Sequence, residues 1–148
     1  MSRLIVVSNR VNPPDDPGVA SAGGLAMALA AALRDDKGIW FGWSGEITEQ
    51  FTGIPSIRKI GGVTVALVDL EEQDRAEYYD GFANRTLWPL FHTFPARVHF
   101  NEEEWRCYQD ANRAFAAAAR ELVAEDTPIW LHDYHLLLAG RSLRRLGH

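Results

Sequence analysis

The chain has 148 residues, 47% of them hydrophobic and 24% charged. That is enough apolar surface for one ordinary domain with a sizeable core, and it excludes disorder over most of the length. A formal net charge of -5 argues against sequence-independent nucleic-acid binding, which rests on neutralising phosphates. No stretch is apolar over the ~18 residues of a membrane span, Leu4–Val7 is too short for a signal-peptide core, and the single Cys107 allows no internal disulfide, so the expected location is the cytoplasm.

Leu4–Val7 is a continuous apolar run rich in branched side chains and reads as a strand buried in a parallel sheet. Ser8–Gly24, with Pro13, Pro14 and Pro17, reads as a long loop, a place where function concentrates. Leu25, Leu29 and Leu33 recur every four residues and predict a helix that Asp35, Asp36 and Gly38 end. Ile39–Trp43 is the next strand, with Ser44-Gly45-Glu46 as its exit. Ser56–Ile60 and Val63–Val68 flank Gly61-Gly62, the pattern of a β-hairpin.

A helix is expected over Leu70–Phe82 and a shorter one over Thr86–His92 despite Pro89. Asn101 with Glu104 three residues on predicts a capping box, opening a helix to about Val123 through Trp105, Tyr108, Ala111, Phe115, Ala119 and Leu122. Pro128–Leu131 reads as a buried strand, with Trp130 and Trp105 assigned to the core. His132-Asp133-Tyr134-His135 follows at the strand's carboxyl end, and a helix is expected over Leu136–Leu146. Alternating strands and helices predict a mostly parallel sheet covered on both faces, in which ligands bind beyond the carboxyl ends of strands.

Several side chains sit where such a ligand would lie. Arg10 presents a planar fork of donors that matches phosphate geometry, although a single loop arginine is usually a surface residue. Gly23-Gly24 opens a helix whose free N–H groups suit phosphate, or else marks a plain turn; the spacing is neither Gly-x-Gly-x-x-Gly nor a Walker loop. Trp43, Tyr79 and Trp88 combine an apolar face with one polar donor, which suits a sugar and equally suits core packing. Asp133 is an acceptor for sugar hydroxyls or a cap for the helix that follows. His132 and His135 have no partner at metal-ligand spacing, so no metal is expected. Cys107 lies inside a helical core pattern and is not expected to be a nucleophile.

Five segments in order carry a family resemblance: Arg3–Arg10; Ser21–Leu25; Trp40–Gly45; Glu77-Tyr78-Tyr79 with Leu87-Trp88-Pro89; and Ile129–Leu137. Together they resemble the trehalose-6-phosphate synthase family over nearly the whole chain. The resemblance implies a GT-B fold, two Rossmann-like domains facing across a cleft, with glucose 6-phosphate held mainly by the first and UDP-glucose mainly by the second. It implies transfer of glucose with retention, no metal or other cofactor, and homo-oligomers for full-length members. By position it implies that Arg10 and Tyr79 hold the acceptor phosphate, Trp43 lines the same pocket, Asp133 accepts from an acceptor hydroxyl, and Trp88 flanks the acceptor and selects its anomer. It also implies that Gly23 and Gly24 approach the donor.

The family's donor-side histidine motif and the arginine and lysine that stabilise the leaving diphosphate come later in its sequence, so no catalytic residue is assigned in this chain. The fold expected for residues 1–148 is α/β: an incomplete, acceptor-side, three-layer Rossmann-like domain, mostly parallel with a β-hairpin, without the C-terminal donor domain and inactive alone. Two alternatives stand beside this: a related glucosyltransferase with another phosphorylated polyol acceptor, and a non-catalytic module that binds a sugar phosphate.

Overall fold

A computed structural model describes residues 4–13, 24–35 and 37–148. Gly23 and most of the proline-rich loop lie outside them. Five strands, β1 (Ile5–Arg10), β2 (Ile39–Thr48), β3 (Ser56–Ile60), β4 (Val63–Glu71) and β5 (Ile129–Leu131), form one sheet in the order β3-β4-β2-β1-β5. Every pairing is parallel except β3 with β4, the hairpin expected around Gly61-Gly62. Both glycines have positive φ, 56° and 82°, which the tight turn requires.

Alternation along β1 builds two cores. Ile5 and Val7 face one side with Phe41, Trp43, Ala66 and Val68, and there they meet Tyr78, Tyr108, Phe115 and Leu136. Val6 faces the other side with Trp40, Val63 and Val65, where helix α1 (Gly24–Asp35) lays Leu29, Ala30 and Leu33. Fully burying each such leucine contributes roughly 1.5–3 kcal/mol. The sheet is thus sandwiched between helical layers, the three-layer α/β fold expected.

The strands run further than their apolar segments. β1 continues through Ser8 and Asn9, which are buried, because both are satisfied: Trp40 Nε1 donates to Ser8 Oγ at 2.8 Å, Ser8 Oγ donates to the Arg10 carbonyl at 2.8 Å, and Tyr78 donates its hydroxyl to Asn9 Oδ1 at 2.7 Å. β4 absorbs Leu70, so the following helix opens only at Glu72.

From Glu72 to Phe91 the chain is helical without a break. Short α2 (Glu72–Asp74) leads into a π-helix over Arg75–Leu87 and then α3 (Trp88–Phe91), whose first turn accommodates Pro89. Helix α4 (Glu102–Glu121) opens on Asn101, whose side chain accepts from the Glu103 and Glu104 amides, as expected of the cap. The reciprocal half of the capping box does not form, because Glu104 turns inward and pairs with Arg85. Trp105 packs on Phe82 and Tyr108, as its spacing implies. Trp130 is instead 49% exposed: β5 is an edge strand, and the α1 core covers β1, β2 and β4 without reaching it. The expected final helix is broken into a 3-10 turn (Tyr134–Leu136) and α5 (Ala139–Arg145).

Candidate functional site

Arg10 ends β1 and pairs with Trp43 across a register shift, with the Val11 amide donating to the Trp43 carbonyl at 3.0 Å. Its guanidinium lies over the buried Trp43 indole, Cζ 5.0 Å from the ring centroid, and Arg10 Nε donates to Asn12 Oδ1 at 3.2 Å. The indole is itself fixed, since Trp43 Nε1 donates to the Glu46 carbonyl at 2.8 Å. A cation on an aromatic face is attracted by about 0.5–1 kcal/mol at exposed sites and more when desolvated.

From Trp43 an aromatic ladder continues into the His132–His135 segment. Tyr79, on the π-helix, meets the indole edge-on with centroids 5.6 Å apart; His135 stacks on Tyr79 at 5.7 Å and on Tyr134 at 4.1 Å. Burial, with His132 nearby and Asp133 opposing it, pushes the His135 imidazole down to about 4, so it is neutral near pH 7. α4 anchors this turn from beneath: Tyr108 donates its hydroxyl to the Tyr134 carbonyl at 2.7 Å, and Asn112 Nδ2 donates to the His135 carbonyl at 3.0 Å. The Tyr134 hydroxyl in turn donates to Asn84 Oδ1 at 2.8 Å.

Asp133 sits at φ 72° with a half-exposed carboxylate that accepts from the Tyr134 amide at 2.7 Å. The capping role is therefore real, and it leaves a carboxylate with further lone pairs open to solvent. Trp88 does not join the ladder. It stacks on His92 at 4.1 Å and is 42% exposed; the nearest link from α3 to the ladder is Phe91, edge-on to Tyr134 at 6.5 Å. Gly24 opens α1, and a Cβ there would meet no heavy atom of the described residues within 4 Å.

A cavity of about 510 Å³ opens beside the ladder, lined among others by Arg10, Asn12, Ser44, Glu46, Arg58 and Asp69. Arg10 is the residue it shares with the ladder. Burial and the adjacent Asp74 push the Cys107 thiol up to about 12, which keeps it protonated near neutral pH. Among the described residues no group of three or more His, Cys, Asp or Glu side chains could hold a metal ion, and no helix is long and apolar enough to cross a membrane.

The profile of glycosyltransferase family 20 matches residues 3–148. The chain belongs to this family of glycosyltransferases. A trehalose-6-phosphate synthase of Enterobacter sp. (strain 638) is 44% identical over 147 residues, which are 99% of this chain and 31% of that protein. The fold matches, with TM-score 0.86 and 39% identity, an alpha,alpha-trehalose-phosphate synthase (UDP-forming) from Burkholderia xenovorans in complex with glucose-6-phosphate; 98% of this chain and 32% of that one are covered. It also matches, with TM-score 0.85 and 42% identity, an Escherichia coli structure bound with UDP-2-fluoro glucose, over 99% of this chain and 31% of that one. The chain thus spans about a third of the length of the relatives it matches, and its sheet is that of the N-terminal part of a GT-B glycosyltransferase.

In this family-20 chain the structure gathers Arg10, Trp43 and Tyr79, and brings Asp133 to the end of the same ladder. Sequence reading assigns no role to Asn12 or Tyr134, weighs His135 only as a metal ligand, and gives Gly45 no part in the site. Tyr134 and His135 lie inside a quoted motif, so their presence was visible but not their stacking. Gly45 reads from the sequence as part of a strand exit and as the end of the family segment Trp40–Gly45.

Proposed function

We propose that this chain forms the acceptor side of a retaining, UDP-forming trehalose-phosphate synthase, whose reaction is transfer of glucose from UDP-glucose to glucose 6-phosphate. The observation that carries the reading is the Arg10 guanidinium held on the Trp43 face beside Tyr79, at the carboxyl end of a central parallel strand. That is where open α/β sheets bind ligands, and the guanidinium fork fits a phosphate. In this reading Arg10 and Tyr79 grip the acceptor phosphate, Trp43 walls the pocket, and Asp133 accepts from a sugar hydroxyl. Trp88 flanks the acceptor from α3 and selects its anomer, and Gly23 and Gly24 approach the donor glucose.

Residues 1–148 correspond in this reading to part of the first of two Rossmann-like domains. No group among them is assigned to stabilise the leaving diphosphate. Because loss of such groups costs orders of magnitude in rate, the 148 residues by themselves are expected to transfer no glucose. Neither a metal nor another cofactor is needed, the location is cytoplasmic, and the longer protein is a homo-oligomer.

Calorimetric titration of the chain with glucose 6-phosphate, beside Arg10→Ala, tests the reading. Weak binding is expected, reduced about ten- to a hundredfold by Arg10→Ala, the worth of hydrogen bonds to a charged group. Tight binding indifferent to Arg10→Ala, or trehalose 6-phosphate made by the purified chain, contradicts it.

A further inference from the structure

We infer that Gly45 is a positioning residue for Arg10: the missing side chain at Gly45 is the seat of the guanidinium. A Cβ built on Gly45 would lie 1.9 Å from Arg10 Cζ, 1.9 Å from Nη1 and 2.0 Å from Nη2, so the head of Arg10 occupies the volume any other residue would fill. The indole of Trp43 supports the same guanidinium. With Nε committed to Asn12 Oδ1, the terminal nitrogens Nη1 and Nη2 make no hydrogen bond among the described residues and remain as a donor fork.

The seat is built by a bulge. Between the pairs Trp43↔Val68 and Ile47↔Leu70, three residues of β2, Ser44 to Glu46, oppose the single Asp69 of β4. Ser44 Oγ donates to Asp69 Oδ1 at 2.5 Å and accepts from the Glu46 amide at 3.0 Å. The Glu46 carbonyl accepts from the Trp43 indole at 2.8 Å. One bulge therefore fixes both surfaces on which the guanidinium rests, and φ 95° at Gly45 turns its backbone so that no side chain intervenes. For binding, the inference rests on the acceptor-side reading above: a phosphate gripped by Arg10 would be gripped where Gly45 lets the fork sit. The contact at risk is the end of a flexible side chain, so an added methyl group displaces the guanidinium at lower cost than it would displace backbone.

The test is Gly45→Ala in the full chain, read first by NMR at the Arg10 side chain. In the parent, the Arg10 Nε–Hε and Cδ protons are expected upfield of their ordinary positions, because the guanidinium lies over the indole ring. Gly45→Ala is expected to abolish that shift and to weaken glucose 6-phosphate about tenfold, with no further weakening when added to Arg10→Ala. An unchanged Arg10 resonance overturns the inference, as does an equal loss of affinity in the Arg10→Ala background. If Gly45→Ala does not fold, the Arg10→Ala/Gly45→Ala double variant decides. Recovery of folding supports the seat, whereas a double variant equally unfolded assigns Gly45 to the backbone of the bulge and overturns it. If the parent binds no glucose 6-phosphate, the acceptor-side reading falls while the resonance still judges the seat.

Discussion

Tyr79 meets Trp43 edge to face, ring planes 64° apart and centroids 5.6 Å apart. The contact fastens the π-helix to β2 through the ring alone, and the phenol hydroxyl makes no hydrogen bond among the described residues. Tyr79→Phe should therefore keep the fold, with a melting temperature within a few degrees of the parent, and weaken glucose 6-phosphate several-fold, the worth of about one hydrogen bond. Paired thermal melts and calorimetric titrations separate the two effects; equal affinity for both proteins would remove Tyr79 from the phosphate site.

The neighbouring tyrosine predicts the opposite pattern. Tyr78 is fully buried and its hydroxyl donates to Asn9 Oδ1 at 2.7 Å. Tyr78→Phe leaves that carbonyl oxygen without its partner in the core and should cost about 1–3 kcal/mol, measured by urea unfolding. Burial already pushes the Tyr78 phenol well above its ordinary range, so no spectroscopic titration of it is expected below the alkaline unfolding of the chain.

His135 makes stability depend on acid. Its folded-state value of about 4 lies below the ordinary 6.5, so between those limits the unfolded chain binds a proton that the folded chain refuses. Stability from this group is fully present above about pH 6.5 and is lost as pH falls toward 4, by up to about 3 kcal/mol. His135→Phe, which keeps an aromatic ring between Tyr79 and Tyr134, should flatten that part of the stability profile. An unchanged slope in urea unfolding between pH 6.5 and 4 would contradict the assignment.

Glu104 is buried against Gly81 and paired with the half-exposed Arg85, and its Oε2 has no hydrogen-bond partner among the described residues. Removing the cation strands a carboxylate. Arg85→Ala should cost about 1–3 kcal/mol, below the full value for a buried pair because water reaches Arg85. Combining it with Glu104→Gln should recover part of the loss. A double variant less stable than Arg85→Ala alone would show that the charge is not the source.

Where local pattern decides structure, the chain could be read directly. The apolar runs of β1 and β2, the Gly61-Gly62 turn and the Asn101 cap each depend on a few adjacent residues. The departures all depend on partners far along the chain. Ser8 and Asn9 look like loop until Trp40 and Tyr78 arrive to satisfy them. Glu104 looks like the second half of a capping box until Arg85 claims it. Trp130 looks like core because an edge strand and a central one share the same composition. The site followed the same rule: Arg10, Trp43, Tyr79 and Asp133 were named from residue type and motif. That Gly45 yields its volume to Arg10 depends on a φ angle and a bulge that no short motif announces.

The Arg10–Trp43 contact also makes the chain its own optical probe. Of the five tryptophans, Trp43 is buried and carries a cation on its face, whereas Trp88 and Trp130 are half-exposed. A ligand that draws the guanidinium off the indole changes the emission of Trp43, whereas Trp130, on the edge strand away from Arg10, supplies a constant red-shifted background. Occupancy at the end of β1 can therefore be followed by intrinsic fluorescence, without a label and without turnover.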